Sequence, residues 1–356
     1  MVNYSTGSTL LMKPKNFCLV SRWNRSGIFE MKKLISLHVS LIILAVIYWK
    51  IDLHSLIYVF KNCNGWWLII SLGMVVPLTL LTSRRLQQLI PHSARLGFAE
   101  ANRLTLVASA LNIMLPFKMG EITKAYFVKE RTQLDGSFSL SLVVFEKACD
   151  MISLLLWCAF GLILYSKKDW FFWAMTGSVI FGLSIVFHLL SSRKLAHIFF
   201  VIGQYITPKQ ISSNLEKLQC SWNEMHDFFW SDKIQLFKVA GTSVFIWFLH
   251  LLQIWFFILT LKAWTPFLTN LALAPLAILV VLLPLTFASI GTPDDALIFL
   301  YHPFFNAPTA AALGLLCTTR YLLPAICGLP LLRKYIQMAH TSRKKPGKLW
   351  GLGTEL

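Results

Sequence analysis

Charge is what this chain has least of. Asp, Glu, Lys and Arg make up only 14% of its 356 residues, while 56% are hydrophobic. Soluble domains carry roughly 25% charged residues. So little ionic surface excludes a soluble globular protein and points to a polytopic membrane protein. Paired cysteine motifs are also missing. The seven cysteines (18, 63, 149, 158, 220, 317 and 327) contain no C-x-x-C, so neither a zinc site nor a disulfide framework has support. The nine histidines contain no H-E-x-x-H, and no metal is expected. G-x-S-x-G is absent, "GSFSLSL" is not a P-loop, and Asp294–Asp295 lacks the further spaced aspartates of a diphosphate–Mg²⁺ enzyme. No catalytic residue and no cofactor are indicated, and the expectation is a protein that is not an enzyme.

What is present is long apolar sequence. Charge-free windows cover Asn62–Ser83, Trp170–Ser192, Val239–Leu261, Ala263–Pro293 and Ala296–Thr319, each reaching the roughly 20 residues that cross a bilayer. Leu34–Trp49 is shorter, but Lys32 and Lys33 precede it and no small-residue cleavage site follows, as in an uncleaved signal anchor. Residues 1–33 read as a polar cytoplasmic tail in which Met31 could be the start, 34–335 as the membrane domain, and 336–356 as a basic cytoplasmic tail.

The net charge of +17 has a bland cause. Lys and Arg gather in cytoplasmic loops of membrane proteins, and no soluble basic domain is available for nucleic acid. With a cytoplasmic N-terminus, full spans are expected near 34–50, 66–83, 138–165, 170–190, 237–261 and 307–332, with a polar cytoplasmic loop at 191–235. If 104–117 dips in and returns to its own side, 26 of the 33 Lys and Arg residues lie inside and 5 outside. Lys147 and Arg320 fall within spans. Making 104–117 a full span would export the basic 191–235 loop, against the positive-inside bias. The expected fold is therefore all-α, with about six full spans plus two broken or re-entrant segments (up to eight spans if these cross). Both termini would be cytoplasmic, in the plasma membrane.

The two broken segments share a grammar. In "NIMLPFKMGEITK" an apolar run meets Pro116, Gly120 and Glu121; in "LLPLTFASIGTPDDALIFLYHP" another meets Pro284, Gly291 and Asp294. Proline cannot continue the helix ladder and glycine adds backbone freedom, so both should break. Broken backbone at membrane depth survives only inside protein or beside a wet cavity. Paired breaks in two halves of a transporter suggest an inverted repeat around a midplane site. Here one hairpin would enter from each face.

Charges inside spans are expensive and therefore informative. Glu146 and Asp150 are i, i+4 neighbours on one helix face, with Lys147 three residues before Asp150. Two carboxylates so close in poor water should not both ionise, which would suit proton or cation coupling; pairing with nearby lysines is the plainer alternative. Arg320 lies near the middle of the last span, where it needs a partner such as Glu146, Asp150 or Asp294, or an anionic ligand.

These residues resemble the lysylphosphatidylglycerol-synthase transmembrane-region family of flippase-like membrane proteins. Its signature N-x-x-L-P-x-R-x-G-E-x-x-R is similar to Asn112, Leu115, Pro116, Lys118, Gly120, Glu121 and Lys124, with lysine at both basic positions. A second signature, E-R-x-x-D, is matched by Glu146, Lys147 and Asp150. The third, P-x-x-x-G-G-x-G-x-R-E-x-A, is kept only at Pro284, Gly291, Asp294 and Ala296; Pro293 replaces its arginine and the glycine pair is absent. A basic residue in the last span is matched by Arg320. The resemblance covers about residues 34–335, without the aminoacyltransferase domain of larger members.

It implies a translocator moving an anionic or isoprenoid-linked lipid between leaflets. Asn112, Lys118, Glu121, Lys124 and Arg320 are then the expected head-group residues, and Glu146, Lys147, Asp150 and Asp294 would balance charge or couple ions. A membrane-embedded enzyme acting on lipid head groups, or an accessory subunit of envelope lipid or glycan biosynthesis, is the alternative. A homo-oligomer or an envelope-biosynthesis protein would be the partner.

Overall fold

The computed structural model describes residues 53–343, except 92–93, 95, 115–119, 166–167, 207–208 and 283–291. The described residues form helices and no strands. In chain order these are α1 (Leu53–Lys61), α2 (Gly65–Gly73), α3 (Val75–Leu89), α4 (Phe98–Met114), α5 (Gly120–Thr132), α6 (Gly136–Leu164) and α7 (Trp170–Ser191). They continue with α8 (Arg193–Ile206), α9 (Lys209–Ser231), α10 (Lys233–Thr260), α11 (Phe267–Leu282), α12 (Thr292–Tyr301) and α13 (Ala307–Arg343). Aspartates or asparagine start several of them. The side chains of Asn64, Asp135, Asp169 and Asp232 each accept a backbone N–H of the first turn, as N-caps do. Hydrogen bonds from Ser137 hold the Asp135 carboxyl below its ordinary range.

Five helical stretches are long and apolar enough to cross a bilayer: Gly65–Leu89, Gly136–Leu164, Phe172–Ser191, Lys233–Thr260 and Ala307–Tyr335. They coincide with five of the six expected spans. The sixth, near 34–50, lies outside the described residues. Phe267–Leu279 is apolar but shorter.

The first broken segment is a helical hairpin. Arg131 Nε lies 2.7 Å from Glu100 at its open end, and Asn112 donates to Glu121 at 3.1 Å near its closed end. Gly120 lets the arms touch, for a methyl there would sit 2.3 Å from the Ala108 carbonyl oxygen. Helix α4 is about 25 Å long, short of the roughly 30 Å hydrocarbon core. The second segment also doubles back. Helices α11 and α12 pack together, and the Tyr301 hydroxyl donates to Asn270 at 2.8 Å where their outer ends meet.

Helix α6 shows how the hairpins relate. Lys124 of α5 meets Glu146, so α5 runs antiparallel to the first half of α6 from the 132–136 turn. At the other half, the Cys158 thiol donates to the Pro275 carbonyl at 3.3 Å, and Gly161 faces Ala272. That makes α11 antiparallel to the second half. The closed ends of both hairpins therefore point at the middle of α6, from opposite directions. Asp150 is its central residue.

Two apolar cores correspond to the two hairpins. One gathers Leu86, Leu104, Phe127, Phe145 and Phe229; the other gathers Leu155, Phe257, Leu276, Leu297 and Leu313. The charged side chains of α6 fall between them.

One expectation is corrected here. Segment 191–235 is not a loop. It folds into α8 and α9, and α9 packs on the start of α6: Phe229 stacks on Phe145 with ring centroids 4.4 Å apart, and Ser221 donates to Ser137 at 2.8 Å. Polar on average, α9 nevertheless places Trp222, Met225 and Phe229 on one buried face at helical spacing.

Candidate functional site

Between the two cores, helices α3, α4, α5, α6 and α10 bring together an ion network. Glu146 is its centre and is completely buried. Lys124 approaches Glu146 Oε2 at 2.6 Å, and Arg85 Nη2 approaches Oε1 at 2.9 Å. Arg85 also pairs with Asp150 through both terminal nitrogens, and its Nη1 donates to the Ser243 hydroxyl of α10 at 3.0 Å. Lys124 reaches Glu121 at 2.9 Å. Lys147 closes the chain, 3.4 Å from Glu121 and 3.5 Å from Asp150.

The charges balance. Arg85, Lys124 and Lys147 face Glu121, Glu146 and Asp150. Exposure is graded: Glu146, Arg85 and Lys124 are 0%, 2% and 3% exposed, Asp150 and Glu121 about a fifth, and Lys147 47%. The network therefore has a sealed end and an open rim. Ion pairs this deep bring little net stability over an apolar substitute, yet losing one partner strands a buried charge. Their placement at the closed end of a hairpin ties the position of α5 to α3 and α6.

Arg85 belongs to none of the motifs the sequence offers. It belongs to the interior, as does Lys124. The signal was helical phase. In α3 the buried stripe runs through Leu78, Ser83, Leu86 and Leu89, and Arg85 falls on it, whereas Arg84 points outward and donates to Gln87. Of the two alternatives for Glu146 and Asp150, pairing with nearby lysines is the one found, with Arg85 added to Lys124 and Lys147.

Arg320 stands apart from this network. Glu146 and Asp150 are engaged by Arg85, Lys124 and Lys147, and Arg320 forms no ion pair with either. Its Nη2 donates to the Tyr321 hydroxyl at 2.9 Å, and the guanidinium stands 4.9 Å from that ring's centroid. It is nonetheless close to the network in height. Tyr335 donates to Glu100, and a methyl on Gly328 would sit 2.1 Å from the Leu106 carbonyl oxygen, so α13 and α4 run antiparallel. Carried on by about two turns, that register brings Arg320 level with Asn112–Met114.

Of the remaining expected residues, Pro116 and Lys118 lie outside the described residues, as do Pro284 and Gly291. Asp294 belongs to α12, its side chain outside the described set. Among the described residues, no group of three His, Cys, Asp or Glu side chains is placed to hold a metal.

The family model described as "Lysylphosphatidylglycerol synthase TM region" matches residues 33–328. No curated protein and no solved structure matches the chain.

Proposed function

The chain belongs to the lysylphosphatidylglycerol synthase TM region family, is a multi-pass membrane protein, and from that premise we propose that it translocates an anionic or isoprenoid-linked lipid between leaflets. The observation that carries this reading is the ion network held where two opposed hairpins converge on the centre of α6. A charged layer between two apolar cores is costly in a membrane protein unless a polar group has to pass it. The hairpins act as two re-entrant segments of an inverted pair, one from each face, beside six full spans. The acyl or prenyl chains stay in lipid while the head group crosses at the hairpin tips.

In this reading Asn112, Lys118, Glu121 and Arg320 meet the head group. Lys124 and Glu146, fully enclosed, hold the hairpin; Lys147 and Asp150 balance or relay charge at the open side, and Asp294 is assigned the same task. Half-helix N-termini near the tips add a favourable field for an anion. The protein works without a cofactor and without covalent chemistry, in the plasma membrane, with both termini cytoplasmic as the Lys and Arg distribution favours. A second copy or an envelope-biosynthesis protein is its partner.

The test is leaflet exchange in reconstituted liposomes across a panel of labelled lipids, with and without a pH gradient. Exchange above that of protein-free vesicles for anionic or isoprenoid-linked lipids is expected. Rates equal to protein-free vesicles for every lipid would overturn the proposal. A new lipid species formed by the purified protein would instead assign an enzyme.

A further inference from the structure

Three cations are buried among the described residues: Arg85, Lys124 and Arg320. The first two have carboxylates within ion-pair distance. Arg320, 8% exposed, has none among the described residues. One of its nitrogens is used by Tyr321, while Nε and Nη1 are shut from solvent without a hydrogen-bond partner. An unpaired buried guanidinium is among the most expensive things a protein can keep.

A second unsatisfied group stands nearby on another element. Helix α10 packs against α13, and the Nδ1 of its His250 is sealed from solvent with no hydrogen-bond partner. His250 lies within electrostatic reach of both Arg320 and Arg85. Arg320 is next to the centre of its span, Ala307–Tyr335, and level with the closed end of the first hairpin. Pro324, one turn on, has no N–H to bond the Arg320 carbonyl, so the helix ladder is open at this turn.

We propose that Arg320 and His250, from α13 and α10, form an oxyanion-binding point that takes one singly charged phosphate-type group. The donors are of the right kind: two unpartnered guanidinium nitrogens, Nε and Nη1, and an imidazole that can donate from Nδ1. One positive charge with no carboxylate partner among the described residues matches one negative charge. The inference rests on the translocation reading for its source of ligand, a lipid phosphodiester, but free phosphate offers the same chemistry. It moves the recognition of the anion away from Lys124, whose three-donor ammonium is already committed to two carboxylates.

Equilibrium binding to the detergent-purified full chain tests it without any transport step. The probes are dioctanoyl phosphatidylglycerol, uncharged dioctanoylglycerol and inorganic phosphate. Wild type should bind the anionic lipid and not dioctanoylglycerol. Arg320→Gln and His250→Gln should each raise its Kd by about tenfold or more, as loss of a charge-assisted hydrogen bond does, with Arg320→Lys between them and wild type. Arg320→Met should abolish binding yet raise the melting temperature of the ligand-free protein, because it removes an unpaired buried charge.

That last measurement separates a ligand site from an internal ion pair. A lowered melting temperature in Arg320→Met, with Asp294→Asn matching it, gives the arginine an internal partner and overturns the proposal. Equal Kd values for wild type and Arg320→Gln overturn it too, as does equally tight binding of dioctanoylglycerol. Arg320-dependent binding of inorganic phosphate but not of the lipid upholds the oxyanion point and counts against the lipid reading. Arg320-dependent lipid binding without leaflet exchange in liposomes upholds the point and overturns translocation alone.

Discussion

Lys124 and Glu146 lie 2.6 Å apart with neither side chain meaningfully exposed to solvent. Each has a second partner, Glu121 for the lysine and Arg85 for the acid, so the pair is the central link of a relay joining α5, α6 and α3. The relay is neutral as a whole and intolerant of losing any one member. Replacing either residue by a neutral one of similar size, Lys124→Met or Glu146→Gln, should cost roughly 3–5 kcal/mol by stranding buried charge. The double variant should be milder than the sum of the two. Thermal unfolding of the four proteins in detergent, read as a double-mutant cycle, checks this; strict additivity would mean the two do not interact.

Neighbouring arginines should behave oppositely. Arg85 bridges Glu146, Asp150 and Ser243, whereas Arg84 is exposed. Arg84→Ala should change stability by no more than about 0.5 kcal/mol. Arg85→Ala should approach the cost of the Lys124 variant. Melting temperatures and the monodisperse fraction on size exclusion measure both.

Among the described glycines, Gly120, Gly161 and Gly328 press against the backbone of another helix, and Gly177 and Gly241 do not. A methyl would meet a carbonyl oxygen at 2.3 Å on Gly120, 2.4 Å on Gly161 and 2.1 Å on Gly328, while Gly177 and Gly241 have nothing within 4 Å. Since those obstacles are backbone, alanine at the first three must push helices apart and should destabilise by roughly 1–3 kcal/mol or more. Gly177→Ala and Gly241→Ala should stabilise by roughly 0.5–1 kcal/mol through helix propensity. A panel of five melting curves decides it.

The end of α10 carries a correctable strain. Lys262 has φ 53°, and the amides of Lys262 and Ala263 bond back to Leu259 and Ile258 at 3.1 and 3.2 Å, a Schellman closure that favours glycine at the left-handed position. Lys262→Gly should raise stability by about 1 kcal/mol. A fall in melting temperature would mean that the lysine side chain stabilises the turn by more than the strain.

Docking of the α8–α9 pair should hinge on Phe229, stacked on Phe145 and fully buried. Phe229→Ala should cost about 3–5 kcal/mol. It should also make residues 193–231 accessible to limited proteolysis before the spans unfold. Unchanged cleavage would place the anchor elsewhere, with Trp222 the next residue to replace.

Much of the architecture was legible because membrane insertion leaves a coarse mark. A span needs about 20 apolar residues, and each of the five described spans lies on a stretch the hydropathy pattern picks out. Beside the spans, Phe98–Met114 and the apolar Phe267–Leu279 are shorter helices, as the two interrupted segments suggested, while the prolines expected to break them, Pro116 and Pro284, lie outside the described residues. The pairing of charges was not legible. Arg84 and Arg85 are identical in composition terms, and only the 100° between them on α3 decides which enters the bundle. Arg320 was seen as anomalous, yet two of the acids offered as its partners, Glu146 and Asp150, are engaged by other cations. The fold of 191–235 was hidden by averaging, since Trp222, Met225 and Phe229 share a face only once α9 is wound.

By itself the amino-acid sequence determined that this chain crosses a membrane repeatedly and where the five described spans lie, because burial of apolar length is a local property. Which charges meet was decided only by tertiary structure. Ion pairing depends on helix phase and antiparallel register across elements as far apart as α3 and α10. Those set Arg85 between Glu146 and Asp150, enclosed Lys124, and left Arg320 with two donors unfilled.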